Sequence, residues 1–173
     1  MKISGIEIPD FIIINNKKLY LNGAAMRTKF FVNTYIIALY AEKPITDEKD
    51  AIYGNTARNL RMLLTTPLAT PTLVSQNIES GVKESLGKKY IELKHIVDNI
   101  KTTIEQSNVG YKDYIDNFFD SDKKMYYYKN GNSLGEIGEN NNDGQTFGEA
   151  LFDMYVGKNP KDQKIKKALL KGF

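Results

Sequence analysis

A largely apolar run constrains this fold more than any other feature of the sequence. Residues 30–40 read FFVNTYIIALY, and alternation along a strand would place large apolar groups on both of its faces. Such a strand is covered on both sides, with helices on one face and another layer on the other. We therefore expect either two strands or one long bent strand between Met26 and Ala41.

An arginine precedes the apolar run. Asn33 and Tyr35 lie on one side of the predicted strand, and Arg27 comes six and eight residues before them. In one interpretation Arg27 lies at a turn beside a carboxylate, and Tyr35 is a core tyrosine whose hydroxyl binds a carbonyl. In the other, the guanidinium and the phenol face a cavity and donate to a carboxylate or enolate oxygen. The pattern leaves both interpretations open.

The remaining periodicity predicts strands, then helices, then a hairpin, then helices again. Strand-like runs fill residues 2–66, with a hairpin turn at Asn15-Asn16 and a last strand over 58–65. Apolar spacings predict a helix from Pro71 to Gly87 and a second from about Lys89 to Glu105. This order favours an α+β fold with an antiparallel sheet and helices packed against one side.

Local signals set the boundaries of the later elements. GYKDYIDNFFD, residues 110–120, predicts a short third helix, and Asn130-Gly131 predicts a hairpin. A T-x-x-E pattern at Thr146 and Glu149 predicts a capping box that opens the next helix. Pro160 is expected to be the first residue of the last helix, where proline is tolerated.

Composition excludes several classes of function. The 173 residues are enough for one domain, taken as residues 1–173, and the net charge of +3 is scattered, so we expect no nucleic-acid binding. Cysteine is absent, there is a single histidine, and the acidic groups are assigned to polar loops and solvated faces without a ligand pattern. We therefore expect no metal site, and we predict no cofactor. No apolar stretch is long enough to span a membrane.

The sequence leaves the location of the protein open. The start, MKISGIEIPD, lacks the apolar segment of a signal peptide, and a chain without cysteine is compatible with either side of a membrane. We expect a periplasmic or secreted protein if a signal was trimmed, and a cytoplasmic one otherwise.

Four segments resemble the chalcone isomerase-fold family, especially its bacterial chalcone isomerase-like group. In LNGAAMRTKFFVNTYIIALYAE, a G-A-x-x-R turn leads into a strand that ends A-L-Y. The other segments are PLATPTLVSQNIESGVKESLG, MYYYKNGNSLGEIGE and FGEALFDMYVGKNPKDQKIKKALL. They follow the family's order over nearly the whole chain. The resemblance implies an open-faced β-sandwich, in which a ligand cleft lies between a large antiparallel sheet and a layer of helices.

The resemblance allows a comparison with plant chalcone isomerases, which close a flavanone ring. Arg27 matches the arginine that stabilises the developing charge in those enzymes, whereas Tyr35 falls on their threonine. Without gaps, Leu73 and Ser80 fall near their helical tyrosine and asparagine, and Met154 falls on their hydroxyl residue. The network that orients the substrate is then absent, and charge stabilisation without positioning predicts little rate enhancement.

The fatty-acid-binding members of the fold are more similar to this chain, because they pair the arginine with a tyrosine. The resemblance implies a non-catalytic protein that binds a small amphipathic carboxylate, such as a fatty acid, through Arg27 and Tyr35. The predicted ligand-binding residues are Arg27, Tyr35, Asn33, Leu73, Met154 and Tyr155. Further apolar candidates for contact with the tail are Phe31, Ile37, Met62, Leu64 and Ile78.

Two other functions remain open at this point. The protein is an isomerase or intramolecular lyase in the first, acting on another unsaturated or phenolic substrate with Arg27 as electrophilic stabiliser. In the second, the cleft is vestigial and the surface binds a protein partner that the sequence does not identify.

Overall fold

A seven-stranded antiparallel sheet organises the chain in the computed structural model, which describes residues 1–138 and 142–173. The strands are β1 (Lys2–Ile3), β2 (Ile6–Glu7), β3 (Phe11–Ile14), β4 (Lys17–Lys29), β5 (Val32–Ala41), β6 (Arg58–Leu64), β7 (Tyr114–Phe119), β8 (Met125–Lys129) and β9 (Asn132–Ile137). The helices are α1 (Glu48–Tyr53), α2 (Pro71–Leu86), α3 (Tyr90–Gln106), α4 (Asp143–Val156) and α5 (Gln163–Leu169). The sheet order is β3-β4-β5-β6-β7-β8-β9, and β1 pairs with β2 in a separate ribbon. The predicted α+β class is confirmed.

Apolar side chains pack on both faces of this sheet. Ile37 and Leu39 of β5 belong to a core that includes residues of α2, α3 and α4. Ile36 and Ala38 face the opposite way, into a smaller core that Ile8 joins beside the β1–β2 ribbon. The expectation that this strand is covered on both sides is therefore confirmed.

The run from Met26 to Ala41 forms two strands joined by a tight turn. β4 and β5 pair up to Lys29 and Val32, and Arg27 lies directly opposite Tyr35. Arg27 is therefore inside a hairpin strand, with its neighbour on β5 fixed by the register.

Gly23, which was assigned to a turn by the resemblance, lies inside β4 at an irregularity in the pairing. The end of α5 crosses the strand here, and a Cβ added at Gly23 would lie 1.9 Å from the Ala168 carbonyl oxygen. The buried Asn22 side chain fixes the same junction, because its amide donates to the Ile45 and Leu169 carbonyl oxygens at 2.7 Å. Glycine is thus required by the close approach of a helix and a strand.

The helix predicted over residues 110–120 is wrong. Tyr114–Phe119 forms β7, which fills the sheet between β6 and β8 and is buried along most of its length. A strand buried on both faces has adjacent apolar residues, and over a few residues these cannot be distinguished from a helical stripe. The backbone hydrogen bonds available from two neighbouring strands decide the conformation.

Two predicted helix starts are also wrong. α4 begins at Asp143, so Thr146 lies within its first turn and donates to the Asn142 carbonyl oxygen instead of capping the helix. α5 begins at Gln163 and is capped by Asp162, whose Oδ1 accepts from the backbone N–H of Lys164 at 2.8 Å. The α2 boundaries, from Pro71 to the residue before Gly87, are confirmed.

One acidic residue assigned to a solvated face is buried. Asp116 of β7 is 1% exposed and accepts from both Nε and Nη2 of Arg61 on β6, each at 2.8 Å. The Asn59 amide donates to the same carboxylate at 2.7 Å. These three side chains form an ion-paired cluster on the sheet face that lies away from the helices.

Candidate ligand-binding site

A cleft of about 560 Å³ lies beside the β4–β5 hairpin, between the sheet and α2. This volume is within the range of small-molecule sites in proteins. Most of the lining is apolar, and β5, β6, α2 and the segment between β6 and α2 contribute to it. The apolar lining residues are Phe30, Val32, Met62, Leu64, Leu68, Ala69, Leu73 and Val74.

Arg27 and Tyr35 are neighbours in the lining of this cleft, because the hairpin register places them opposite each other. Arg27 Nη1 donates to Asp162 Oδ2 at 3.3 Å, and the Arg27 side chain is 23% exposed. Asp162 also caps α5 with its other oxygen. A guanidinium has five N–H donors, so a single long contact leaves most of them available to a ligand. Both sequence interpretations of Arg27 therefore hold in part: its side chain contacts a carboxylate, that of Asp162, and it also lines a cleft.

A second cation lies beside Arg27 and was not predicted. Lys161 Nζ donates to the backbone oxygen and to Oδ1 of Asn77, at 3.2 and 3.3 Å. Burial lowers the pKa of Lys161, the charges of Arg27 and Lys29 lower it further, and Glu84 opposes the shift. Within the residues that the structure describes, Lys161 forms no ion pair. A bound anion would relieve the repulsion between these cations.

Two phenols and an amide lie behind the cations. The Tyr35 and Tyr155 hydroxyls are 3.2 Å apart, and either can donate to the other. Burial raises the pKa of Tyr35, and burial with the charge of Tyr35 raises that of Tyr155, so both phenols are neutral near pH 7. When Tyr155 donates to Tyr35, the Tyr35 proton is free to point into the cleft. The buried Asn77 Nδ2 makes no hydrogen bond of good geometry within the described residues, but it lies close enough to the Tyr35 and Tyr155 hydroxyls to lower the pKa of both, against the effect of burial.

The charges around the cleft favour an anion. Arg27, Lys29 and Lys161 line it, and the lining residues include no aspartate, glutamate or histidine. Asp162 neutralises part of the charge of Arg27 but leaves Lys161 without a counterion in residues 1–138 and 142–173. In a partly apolar cleft such an excess of positive charge acts more strongly than it would in water. Residues 1–138 and 142–173 contain no cluster of three potential metal ligands.

Comparison with known proteins identifies the family. The sequence profile of the family described as chalcone isomerase-like matches residues 1–171. The chain belongs to the chalcone isomerase-like family. The resemblance drawn from the four sequence segments is thereby confirmed.

This chalcone isomerase-like protein also has a similar solved structure. The crystal structure of a fatty-acid-binding protein from Arabidopsis thaliana matches with a TM-score of 0.76, over 97% of this chain and 93% of that chain, at 15% sequence identity. At such low identity the match shows the fold alone, and it confirms the open-faced arrangement of sheet and helices. The curated proteins compared by sequence gave no match to the chain. Each helix in residues 1–138 and 142–173 is too short or too polar to cross a bilayer.

The cleft brings together some of the predicted site residues of this chalcone isomerase-like protein. Arg27, Tyr35 and Leu73 line it, and Tyr155 lies behind Tyr35 with its hydroxyl in contact. Asn33 does not take part, because it is exposed and its Oδ1 accepts from the Thr28 hydroxyl at 2.9 Å. An irregularity in the pairing between Arg27 and Thr28 breaks the alternation that placed Asn33 and Tyr35 on one face.

Met154 is also absent from the cleft lining. It is 3% exposed and lies against Gly81 of α2, where an added Cβ would be 1.7 Å from its sulfur. Met62 and Leu64 do line the cleft, whereas Ile37 and Ile78 belong to the core behind it. The predicted tail contact Phe31 is wrong, because its side chain projects from the hairpin turn into solvent.

Sequence reasoning missed Lys161 and Asn77. Asn77 follows Leu73 and Val74 by four and three residues, so a polar residue on the apolar stripe of α2 was a detectable signal. Lys161 offered no such signal, since it opens the lysine-rich run KDQKIKK, whose pattern is that of a solvated helix face. Its contact with Asn77 joins residues 84 positions apart in the chain.

Proposed function

We propose that the cleft of this protein binds an amphipathic monocarboxylate such as a fatty acid. In this proposal the carboxylate accepts hydrogen bonds from Arg27, Lys161 and Tyr35, and the tail lies on the apolar wall toward Phe30 and Leu68. The observation that carries the proposal is that Arg27, Lys161 and the neutral phenol of Tyr35 line one largely apolar cleft, where Asp162 pairs with Arg27 and Lys161 forms no ion pair within the described residues. The similar structure of a fatty-acid-binding protein supports it.

The two ends of such a ligand contribute in different ways. Hydrogen bonds to a charged group contribute roughly 1.5–3 kcal/mol each, and they fix the position of the headgroup. Each buried methylene adds about 0.8 kcal/mol, so the length of the tail determines most of the affinity. Affinity should therefore rise with chain length until the tail extends beyond the cleft.

Arg27→Gln is expected to weaken binding of a medium-chain fatty acid by about tenfold to a hundredfold, because charge-assisted hydrogen bonds are lost. Isothermal titration calorimetry with decanoate measures this, and native mass spectrometry of the purified protein shows whether a lipid co-purifies. Lys29→Gln is the matched control: it removes the same charge from an exposed position at the cleft rim, and we expect a smaller effect. Equal affinities of the wild type and Arg27→Gln would refute the role of Arg27.

The lowered pKa of Lys161 predicts a pH dependence of binding. Above that pKa the amine is neutral and no longer attracts the carboxylate, so affinity should fall as pH rises, beginning below the ordinary lysine value. The decline for one coupled proton is at most about tenfold per pH unit. Calorimetry across alkaline pH should show it in the wild type but not in Lys161→Gln, and Lys161→Arg should move it to higher pH. The same decline in Lys161→Gln would exclude Lys161 as its source.

An isomerase or intramolecular lyase is the second candidate. The observation in its favour is that the Arg27, Lys161 and Tyr35 donors converge, and such donors also fit the oxygen of an enolate. Because both phenols have raised pKa values, neither acts as a base near pH 7, which favours the binding protein. Steady loss of chalcone absorbance that disappears in Arg27→Gln would support the enzyme.

A further inference from the structure

The turn of the β4–β5 hairpin has an unusual sequence for its backbone conformation. Phe30 and Phe31 have φ values of +49° and +64°, in the left-handed region that a two-residue hairpin turn requires. Bulky residues are disfavoured there, and asparagine and glycine are preferred. Two other hairpins of the same sheet have turns of this type and use Asn15-Asn16 and Asn130-Gly131. The hairpin at the cleft thus uses two phenylalanines where the chain elsewhere uses the favoured residues.

Packing within the protein does not explain these phenylalanines. Phe30 is 85% exposed and Phe31 is fully exposed, so neither ring gains from burial. A turn that holds two bulky residues at positive φ is strained, and neither exposed ring offsets that cost by packing within the chain. The rings are therefore suited to a contact outside the chain.

The turn is continuous with the mouth of the cleft. Phe30 and Val32 line the cleft from the hairpin side, while Leu68 and Leu73, themselves 69% and 55% exposed, line it from the side of α2. We call Phe30, Phe31, Val32, Leu68 and Leu73 the apolar rim. An exposed apolar patch of this kind around a cleft marks an interaction surface.

The charges beside the apolar rim identify the kind of surface that it fits. Lys29 lies next to the turn, with its Nζ 5.7 Å from the centre of the Phe30 ring. Arg27 and Lys161 also line the cleft, and its lining within the described residues includes no acidic side chain. Aromatic side chains flanked by lysine and arginine are typical of elements that lie in the interface of a bilayer containing anionic lipids.

We propose that the apolar rim docks on an anionic lipid bilayer, with Phe30 and Phe31 inserted at the level of the headgroups. The cleft mouth then faces the membrane. A ligand of the class proposed above can pass between bilayer and cleft without crossing water; this second step rests on the proposed function, whereas the docking does not. Lys29 contributes attraction to the anionic headgroups, so docking is weakened by salt.

Flotation with lipid vesicles tests this docking. We expect the wild type to float with vesicles in which about a third of the lipid is phosphatidylglycerol, and much less with phosphatidylcholine alone or at raised salt. Phe31→Gly should bind the anionic vesicles about tenfold more weakly, because an inserted ring is lost. Its urea unfolding midpoint should equal or exceed that of the wild type, since glycine suits the turn. The double variant Phe30→Asn/Phe31→Gly, which copies Asn130-Gly131, should lose more vesicle binding.

The matched control is Ile91→Gln, which removes an 82% exposed apolar residue at the start of α3, beyond the far end of α2 from Leu73. It should float like the wild type.

Failure of the wild type to float, or equal flotation of Phe31→Gly, would overturn the docking. A wild-type dimer that becomes monomeric in Phe31→Gly, seen by light scattering without vesicles, would also overturn it, by assigning the rim to self-association. Calorimetry with decanoate separates the two proposals: flotation without decanoate binding refutes the ligand and leaves the docking.

Discussion

Replacing Arg58 with methionine is expected to lower the free energy of unfolding by about 3–5 kcal/mol, because several buried acceptors lose their donor. Arg58 is fully buried, and its guanidinium is held by backbone carbonyl oxygens around the end of α1. The acceptors are the oxygens of Ala51 at 2.5 Å, Ile52 at 2.8 Å, Thr56 at 2.9 Å and Gly54 at 3.1 Å. Methionine can fill the volume but leaves the carbonyl groups of Ala51, Ile52 and Thr56 without this donor, whereas Gly54 keeps its hydrogen bond from Lys123 Nζ. Buried acceptors without partners are strongly destabilising.

The aromatic rings around Arg58 add to this expected effect. The Arg58 Cζ lies 4.3 Å from the centre of the Phe119 ring and 5.0 Å from that of Phe152. Burial lowers the pKa of Arg58 to about 10, so the group stays charged at neutral pH. A desolvated cation over aromatic faces is stabilised beyond its hydrogen bonds.

Urea denaturation followed by circular dichroism measures the predicted loss at Arg58. Lys88→Met is the matched control, because it removes a charge from an exposed position, and we expect a change of less than about 0.5 kcal/mol. Arg58→Lys keeps the charge but cannot reach four carbonyls with one ammonium, so it should recover only part of the stability. A loss below about 1 kcal/mol in Arg58→Met would show that water replaces the guanidinium there.

Replacing Asp116 with alanine is expected to destabilise the protein by about 3–5 kcal/mol. The carboxylate binds Arg61 in a bidentate pair on neighbouring strands, and the Arg61 side chain is 16% exposed. Burial alone would lower the pKa of Arg61, but the hydrogen bond and the charge of Asp116 raise it above its usual value. Without Asp116, Arg61 keeps its charge and loses its counterion. The Asn59 amide loses its acceptor as well.

A double-mutant cycle separates the ion pair from the rest of this effect. Removing both partners, as in Arg61→Met with Asp116→Ala, eliminates the unpaired charge, so the double variant should be more stable than Asp116→Ala alone. Urea unfolding of the single and double variants gives the coupling energy. Additive losses would show that the pair is not coupled and that Asp116 acts through Asn59 or through packing.

Much of the fold could be predicted because its signals are local. The two-faced apolar run of β5 requires burial on both sides, and the Asn15-Asn16 and Asn130-Gly131 turns set their hairpins. The apolar spacing that predicts α2 and the glycine that ends it are likewise signals within one short segment. β7 was misassigned because its identity depends on pairing with β6 and β8, which come from distant parts of the chain.

The candidate site was predictable only in part, for the same physical reason. Arg27 and Tyr35 are eight residues apart across one hairpin, so local pairing brings them together. Asn33 belongs to the same hairpin, but an irregularity in the ladder turns it away from Tyr35, and no sequence pattern marks that position. Met154 lies on a helix that was predicted with the wrong start, and its side chain packs against Gly81 of α2 instead of lining the cleft.

The sequence by itself determined that this chain forms a sheet with a strand that is covered on both faces, and that an arginine and a tyrosine lie eight residues apart at the start of that strand. Only the tertiary structure decided which polar and charged groups lie around Arg27. Asp162 accepts a hydrogen bond from Arg27, 135 residues earlier in the chain, and Lys161 donates one to Asn77, 84 residues earlier. Such contacts depend on the register of the sheet and on how α2 and the α5 cap pack against it, and periodicity along the chain contains no information about either.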